Sequence, residues 1–94
     1  LRLIETALSL EPDNPAILDS MGWVLFKLGR AEEGIPYLRK AAEAEPHPEI
    51  VAHLIEALWT LGQRDEANAW VARTRDEMAG DAVYAATLQR IGLD

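Results

Sequence analysis

Residues 15–34 read PAILDSMGWVLFKLGRAEEG, and residues 48–67 return to the same plan as PEIVAHLIEALWTLGQRDEA. Both stretches start with proline, carry apolar residues at matching places and reach a Leu-Gly pair at the same distance from that proline. Their offset is 33 positions, and a period near this length is typical of solenoids in which helix pairs stack on one another. The sequence therefore predicts an all-α fold that is built to bind rather than to catalyse.

Proline, glycine and asparagine mark where the helices begin and end. Asn14 is a good cap for the second helix, and Pro15 suits its first position because no amide hydrogen is needed there. The last helix is expected to turn four apolar residues inward, which are Val83, Tyr84, Leu88 and Ile91. After a helix at the start of the chain, we expect helices at about 15–28, 31–45, 48–61, 64–79 and 82–91.

The composition restricts the classes of partner and of chemistry. The 94 residues suffice for one domain at most, and their net charge of −7 argues against binding to nucleic acid or directly to an anionic membrane. There is no cysteine, hence no disulfide, no thiol nucleophile and no thiolate metal site. No apolar run approaches the ~18 residues of a membrane span.

The first residues suggest that the chain is a piece of a longer protein. It opens without methionine, on residues 1–4, in what reads as the middle of a helix. Targeting signals would then lie upstream. We expect a soluble protein and leave its compartment open between cytoplasm and periplasm.

The unit 15–47 resembles a tetratricopeptide repeat, a helix–turn–helix unit of about 34 residues. The closer likeness is to the C-terminal repeats of longer bacterial members of that family. Small residues at Gly22 and Gly34 are expected to let the paired helices approach closely, while large residues fill the remaining space. The residues that carry the resemblance are Leu18, Met21, Gly22, Gly34, Leu38, Ala41 and Pro46.

The resemblance implies a superhelix of about two and a half repeats within one domain. Residues 1–14 would be the end of a preceding repeat, and residues 15–47 and 48–80 would be repeats. Residues 81–94 would form a C-terminal capping helix that covers the open end of the solenoid.

The resemblance also implies a concave groove, lined by the first helix of each repeat, that binds a peptide or a partner segment. Acidic groove positions disfavour an acidic peptide terminus, and neighbouring aromatic residues suit an apolar ligand that carries Lys or Arg. We therefore predict a protein-interaction module of a scaffold or adaptor, without a cofactor. The candidate groove residues are Asp19, Trp23, Phe26, Lys27, Glu49, Ala52, Glu56 and Trp59.

A structural role is the alternative. The groove aromatics would then be packed inside the chain, and the segment would end the solenoid or associate with itself. A homodimer through the exposed repeat ends remains open, because Leu1, Ile4 and Leu8 form an apolar stripe at the start of the chain.

Catalysis and metal binding have little support in the sequence. Glu49, His53 and Glu56 share one helix face, but two carboxylates and one histidine on an open helix are common by chance. No Ser-His-Asp set and no glycine-rich phosphate loop is visible. We therefore predict neither a metal site nor an enzyme.

Overall fold

The computed structural model describes residues 1–93, which form helices joined by short turns and contain no strand. The predicted all-α fold is thus confirmed, although α2, α3 and α5 each end one residue earlier than expected. Asp94, the last residue of the predicted capping segment, lies outside the described residues. None of the described helices is long and apolar enough to cross a membrane. The helices are α1 (Arg2–Leu10), α2 (Pro15–Lys27), α3 (Ala31–Ala44), α4 (Pro48–Leu61), α5 (Arg64–Met78) and α6 (Ala82–Ile91).

Side-chain caps start the three helices that are first in their pairs. The side chains of Asn14, His47 and Asp81 each accept a hydrogen bond from a backbone amide in the first turn of α2, α4 or α6. These bonds satisfy amide groups that have no partner within the helix. The caps therefore place the start of every unit at a defined residue.

Glycines bring α2 and α3 into close contact. A Cβ atom on Gly34 would lie 2.5 Å from the carbonyl oxygen of Gly22, so only hydrogen fits between the two backbones. A Cβ atom on Gly22 would lie 2.6 Å from Cγ of Leu38. The close approach predicted for this helix pair is confirmed.

The core extends from α2 to α6, with α4 at its centre. Trp70 on α5 belongs to this core, as does Ala42 on α3. Because α4 packs against α3, α5 and α6, it is buried along most of its length. The largest fully buried side chains are Leu38, Val51, Leu54, Ile55, Leu58 and Tyr84.

Helix α6 packs against α4 and repeats its burial pattern. Tyr84 is fully buried, and Ile50 in the corresponding position of α4 is buried too. Val83 is 46% exposed, and its counterpart Glu49 is exposed too. The prediction that Val83 faces inward is wrong, because α6 presents that position to the same open face as α4. Ile91 is half-buried against the core.

Two ion pairs join α3 to α5 on the side away from that open face. Arg39 donates two hydrogen bonds to the carboxylate of Glu66, at 2.8 and 2.9 Å, and Arg73 donates one to Glu43 at 2.9 Å. The hydrogen bonds from Arg39 lower the pKa of Glu66 below its ordinary value. The neighbouring repeats are therefore linked by charge as well as by the core.

We predict that Glu66→Gln lowers the free energy of unfolding at pH 7 by no more than about 1 kcal/mol, since both side chains are substantially exposed. The folded-state pKa of Glu66 is depressed, so its contribution is present above the unfolded pKa of about 4.3 and is lost as pH falls through the folded value. Urea unfolding at pH 7 and in acid would show the difference from wild type disappear. A loss that persists unchanged in acid would contradict this origin. Glu77→Gln on the same helix is the control, because Glu77 forms no salt bridge within residues 1–93.

Candidate functional site

The first helices of successive pairs lie side by side and leave one open surface, which we call the groove face. Polar side-chain contacts cross it from Asp19 to His53 and from Glu56 to Arg90, each between residues 34 positions apart. The caps of the three helices, Asn14, His47 and Asp81, are 33 and 34 positions apart, so α2, α4 and α6 occupy equivalent places. The groove face consists of Asp19, Trp23, Phe26 and Lys27 on α2, Glu49, His53, Glu56 and Trp59 on α4, and Val83 and Arg90 on α6.

Asp19, His53 and Trp23 form a unit that links α2 to α4. Nδ1 of His53 lies 2.8 Å from Oδ1 and 3.1 Å from Oδ2 of Asp19, so its N–H donates to the carboxylate. The imidazole stacks on Trp23, with ring centroids 3.9 Å apart and planes at 15°. The carboxylate of Asp19 therefore already has a hydrogen-bond partner within the chain, and the Asp19 side chain is only 12% exposed.

Phe26 and Lys27 continue this unit towards the C-terminal end of α2. The rings of Trp23 and Phe26 are stacked at 5.0 Å between centroids. Nζ of Lys27 lies 4.9 Å from the Trp23 centroid and 5.9 Å from that of Phe26, within the range of a cation–π interaction. Lys27 is exposed and forms no salt bridge within the described part of the chain.

Trp59 occupies the corresponding end of α4. Its ring packs partly against the core and is half-buried. The guanidinium of Arg64, the first residue of α5, lies 4.3 Å from the centroid of that ring. Arg64 is exposed and, like Lys27, has no carboxylate partner among residues 1–93. One end of the groove face is thus aromatic and cationic.

The acids of the groove face differ in how open they are. Glu56 accepts a hydrogen bond from Arg90 of α6, and its side chain is only 14% exposed. Glu49 is exposed and forms no salt bridge in the described chain. Of the three acids predicted to give the groove its charge, Glu49 alone is therefore open to a ligand.

A shallow hollow of about 270 Å³ lies at the N-terminal ends of α2 and α4. Its lining includes Asp19, Glu45, His47 and Glu49. The side chains of Glu45 and Glu49 reach it from exposed positions on either side of the turn before α4. This end of the groove face is acidic, opposite in charge to the end that carries Lys27.

Of the eight predicted groove residues, the structure leaves six exposed or half-buried and buries two, Asp19 and Ala52. Ala52 is 1% exposed, so its methyl group packs in the wall of the groove and offers no ligand contact. Trp23, Phe26 and Trp59 are neither fully open nor fully buried. Their predicted role in ligand binding therefore remains a proposal.

The sequence reasoning missed three functional candidates, Arg90, Val83 and Arg64, and considered His53 only as a metal ligand. Arg90 and His53 each lie 34 positions after an acid of the groove face, and a search for hydrogen-bond donors at that spacing would have paired them with those acids. Val83 would have been predicted to lie on the groove face if the last helix had been treated as the first helix of a further repeat. Arg64 carries no sequence signal of this kind, because it reaches Trp59 across a turn.

The carboxylate–histidine face considered for a metal is engaged in other contacts. His53 is bound to Asp19 and Glu56 to Arg90, which leaves only Glu49 of that trio unengaged. Among the described residues, no three His, Cys, Asp or Glu side chains are grouped so as to hold a metal ion.

The stacked helix pairs and the shared face of their first helices define a helical-repeat protein. The chain belongs to the tetratricopeptide repeat family, whose model matches residues 25–91. It is 48% identical over 54 residues to the TPR repeat-containing protein PA4667 of Pseudomonas aeruginosa. That match covers 57% of this chain and 9% of the relative, so the chain spans only a small part of that protein. Repeats of this family are generally protein–protein interaction modules.

Proposed function

We propose that this chain is a protein-interaction module of a scaffold or adaptor, and that it binds an extended apolar segment of its partner on the groove face. The observation that carries the proposal is the row of half-buried aromatic rings, Trp23, Phe26 and Trp59, on the open side of α2 and α4. Partly open aromatic side chains held by their neighbours are typical binding hot spots, because they lose little freedom on association.

The proposal includes a preference for a basic residue at one end of the ligand. Glu49 supports it, since this acid is open and adjoins the acidic hollow that Glu45 helps to line. Asp19 and Glu56 do not add to the preference, because each already has a cationic or hydrogen-bonding partner inside the chain. The proposed charge contact is therefore local to the N-terminal end of the groove face.

The predicted organisation is kept as part of the proposal. Residues 1–14 would end a preceding repeat, 15–47 and 48–80 would be repeats, and 81–94 would follow as the last segment. Because α6 buries and exposes the same positions as α4, we propose that it lines part of the groove face as well as covering the open end of the solenoid. The proposal involves no cofactor and no catalytic step.

We expect Trp23→Ala and Trp59→Ala each to weaken ligand binding by about 2 kcal/mol or more, the usual loss at a hot spot. A random twelve-residue peptide library displayed on phage, selected on the wild-type chain, supplies the ligands. Enriched peptides would be synthesised and their affinities for wild type and variants compared. Far-UV circular dichroism would be measured in parallel and should show nearly unchanged helicity.

The control changes a cation that lies on an aromatic ring away from the groove face. Arg73 lies 4.4 Å from the ring of Trp70 on α5, and Arg73→Gln should leave peptide affinity unchanged. Loss of helicity in the tryptophan variants would assign those rings to the core. Selection that yields no peptide dependent on Trp23 or Trp59 would reject the groove face as a binding site.

A structural or self-association role is the second candidate, and exposed leucines favour it. Leu3 and Leu10 on or at the end of α1 are 86% and 77% exposed, and Leu1 is 41% exposed. An apolar surface of this kind tends to be covered by another protein surface. Sedimentation velocity over a range of concentrations distinguishes the candidates, because self-association through α1 would persist in the tryptophan variants.

A further inference from the structure

We infer that the groove face selects a segment whose charges are ordered, with a basic residue at one end, apolar or aromatic residues between, and an acidic residue at the other end. This inference rests on the proposed function and adds a second charge contact and a direction of binding. The acidic residue would pair with Lys27 and Arg64. The basic residue would pair with Glu49, ten positions before Trp59 on α4.

Two open cations lie at one end of the groove face, Lys27 on it and Arg64 at its edge. Lys27 ends α2, and Arg64 covers the ring of Trp59 near the end of α4, so both lie where the parallel first helices finish. Each rests on an aromatic ring and keeps its N–H donors free of any carboxylate within residues 1–93. A ligand carboxylate would therefore meet unused donors beside apolar ring surface, which favours a charge-assisted hydrogen bond.

A basic residue placed at this end would be repelled. It would approach Lys27 and Arg64 and would have to displace them from the rings that they cover. Like charges brought together at an interface generally cost several kcal/mol. This end therefore excludes a basic residue as well as attracting an acidic one. The same reasoning, with signs reversed, excludes an acid beside Glu49.

The net charge of −7 does not oppose this arrangement. Exposed charges more than about 8 Å apart are largely screened at physiological ionic strength, so the nearest groups decide the local preference. Two of the three groove acids already have partners within the chain, His53 for Asp19 and Arg90 for Glu56. A chain that is acidic as a whole therefore carries a groove face with one acidic end and one basic end.

The separation of the two ends fixes the spacing of charges in the ligand. Ten residues of α4 span about 15 Å at roughly 1.5 Å per residue. An extended segment covers that distance in about five residues at roughly 3.3 Å each. The expected ligand thus carries opposite charges about five residues apart, with aromatic or aliphatic side chains over Trp23 and Phe26.

Acids at helix N-termini and cations at helix C-termini also stabilise the helices that carry them. This role predicts the charges of Lys27 and Glu49, though not that of Arg64 at the start of α5, and it predicts no dependence of ligand binding on charge order. A direct comparison of ligand charge order therefore separates recognition from helix stabilisation.

The test begins with the peptides selected on the wild-type chain from the random twelve-residue library. We expect those whose binding requires Trp23 and Trp59 to be enriched in pairs of opposite charge about five residues apart, in one order along the chain. The best peptide would then be synthesised together with an inverted form in which its acidic and basic positions are exchanged. Wild type should bind the inverted form at least about tenfold more weakly.

The double variant Lys27→Glu with Glu49→Lys keeps the net charge of the protein, reverses the acidic end and leaves Arg64 as the remaining cation at the other end. We expect it to lose the wild-type preference for the selected peptide over its inverted form. The control exchanges two exposed charges on α1 and α5, Arg2→Glu with Glu77→Lys, and should keep the wild-type preference. If the double variant fails to fold, the comparison of the two peptides on wild type still decides the matter.

The outcomes separate this inference from the proposed function. Peptides that depend on the tryptophans but show no charge order, or two peptide forms that bind wild type within about twofold, would overturn the inference and leave the groove as a binding site. Enrichment of peptides with lysine or arginine at both ends would also overturn it. If no selected peptide depends on Trp23 or Trp59, both the inference and the proposed function fail.

Discussion

Gly34→Ala is expected to lower the free energy of unfolding by about 2–3 kcal/mol, although alanine is the better helix former. The added Cβ atom would lie 2.5 Å from the carbonyl oxygen of Gly22 and 3.2 Å from Cβ of Leu25. The nearer of these atoms is backbone, so no side-chain rotation can relieve the clash. Helices α2 and α3 would have to separate, and the packing of Leu38 between them would loosen. Urea unfolding followed by circular dichroism measures the loss.

Gly80→Ala is the matched control for this substitution. Gly80 follows α5, and a Cβ atom there would meet nothing within 4 Å. Its backbone is not among the glycines with positive φ, so alanine is tolerated and should change stability by no more than about 0.5 kcal/mol in either direction. A Gly34→Ala protein as stable as Gly80→Ala would mean that the helix pair is not held at this distance.

The close approach of α2 and α3 was accessible from the sequence because it depends on the absence of side chains. Gly22 and Gly34 occupy places where a repeat of this period needs small residues, and their meaning does not depend on a neighbour's conformation. The cap at Asn14 was accessible for a similar reason, since capping is a contact between residues two or three positions apart.

The charge of the groove face was not accessible in the same way. The three acids can be read along the chain, but their partners belong to other helices. His53 reaches Asp19 from the next repeat, and Arg90 reaches Glu56 from the helix beyond it. The position of a residue on its helix indicates which other residues lie on the same face. It does not indicate whether a side chain from a neighbouring helix binds its charged group.

The burial pattern of the last helix was half predicted. Tyr84 and Leu88 are inward as expected, and Val83 is not. An isolated helix with three neighbouring apolar positions permits several directions for its buried stripe. Only the equivalence of α6 with α4 selects the direction that buries Tyr84 and exposes Val83.

Tyr84→Ala is expected to lower the free energy of unfolding by about 3–5 kcal/mol, a large part of the about 5–15 kcal/mol typical of a domain. Tyr84 is fully buried, and its hydroxyl lies 2.9 Å from Oγ1 of Thr74. Thr74 donates its own hydrogen to the carbonyl of Trp70 at 2.7 Å, so the tyrosine hydroxyl is the donor between the two. Truncation would therefore leave a cavity between α5 and α6 and remove the hydrogen bond that joins them. Urea unfolding at pH 7 provides the measurement.

Further substitutions divide this loss between packing and hydrogen bonding. Tyr84→Phe keeps the ring and should cost about 1 kcal/mol, whereas Thr74→Ala strands a buried hydroxyl and should cost about 1–3 kcal/mol. The double variant should cost less than the sum of the two, because both changes remove the same contact. Val83→Ala, at the adjacent exposed position, should change stability by no more than about 0.5 kcal/mol. A loss below about 1 kcal/mol for Tyr84→Ala would mean that α6 contributes little to the folded chain, and its place on the groove face would then have to be abandoned.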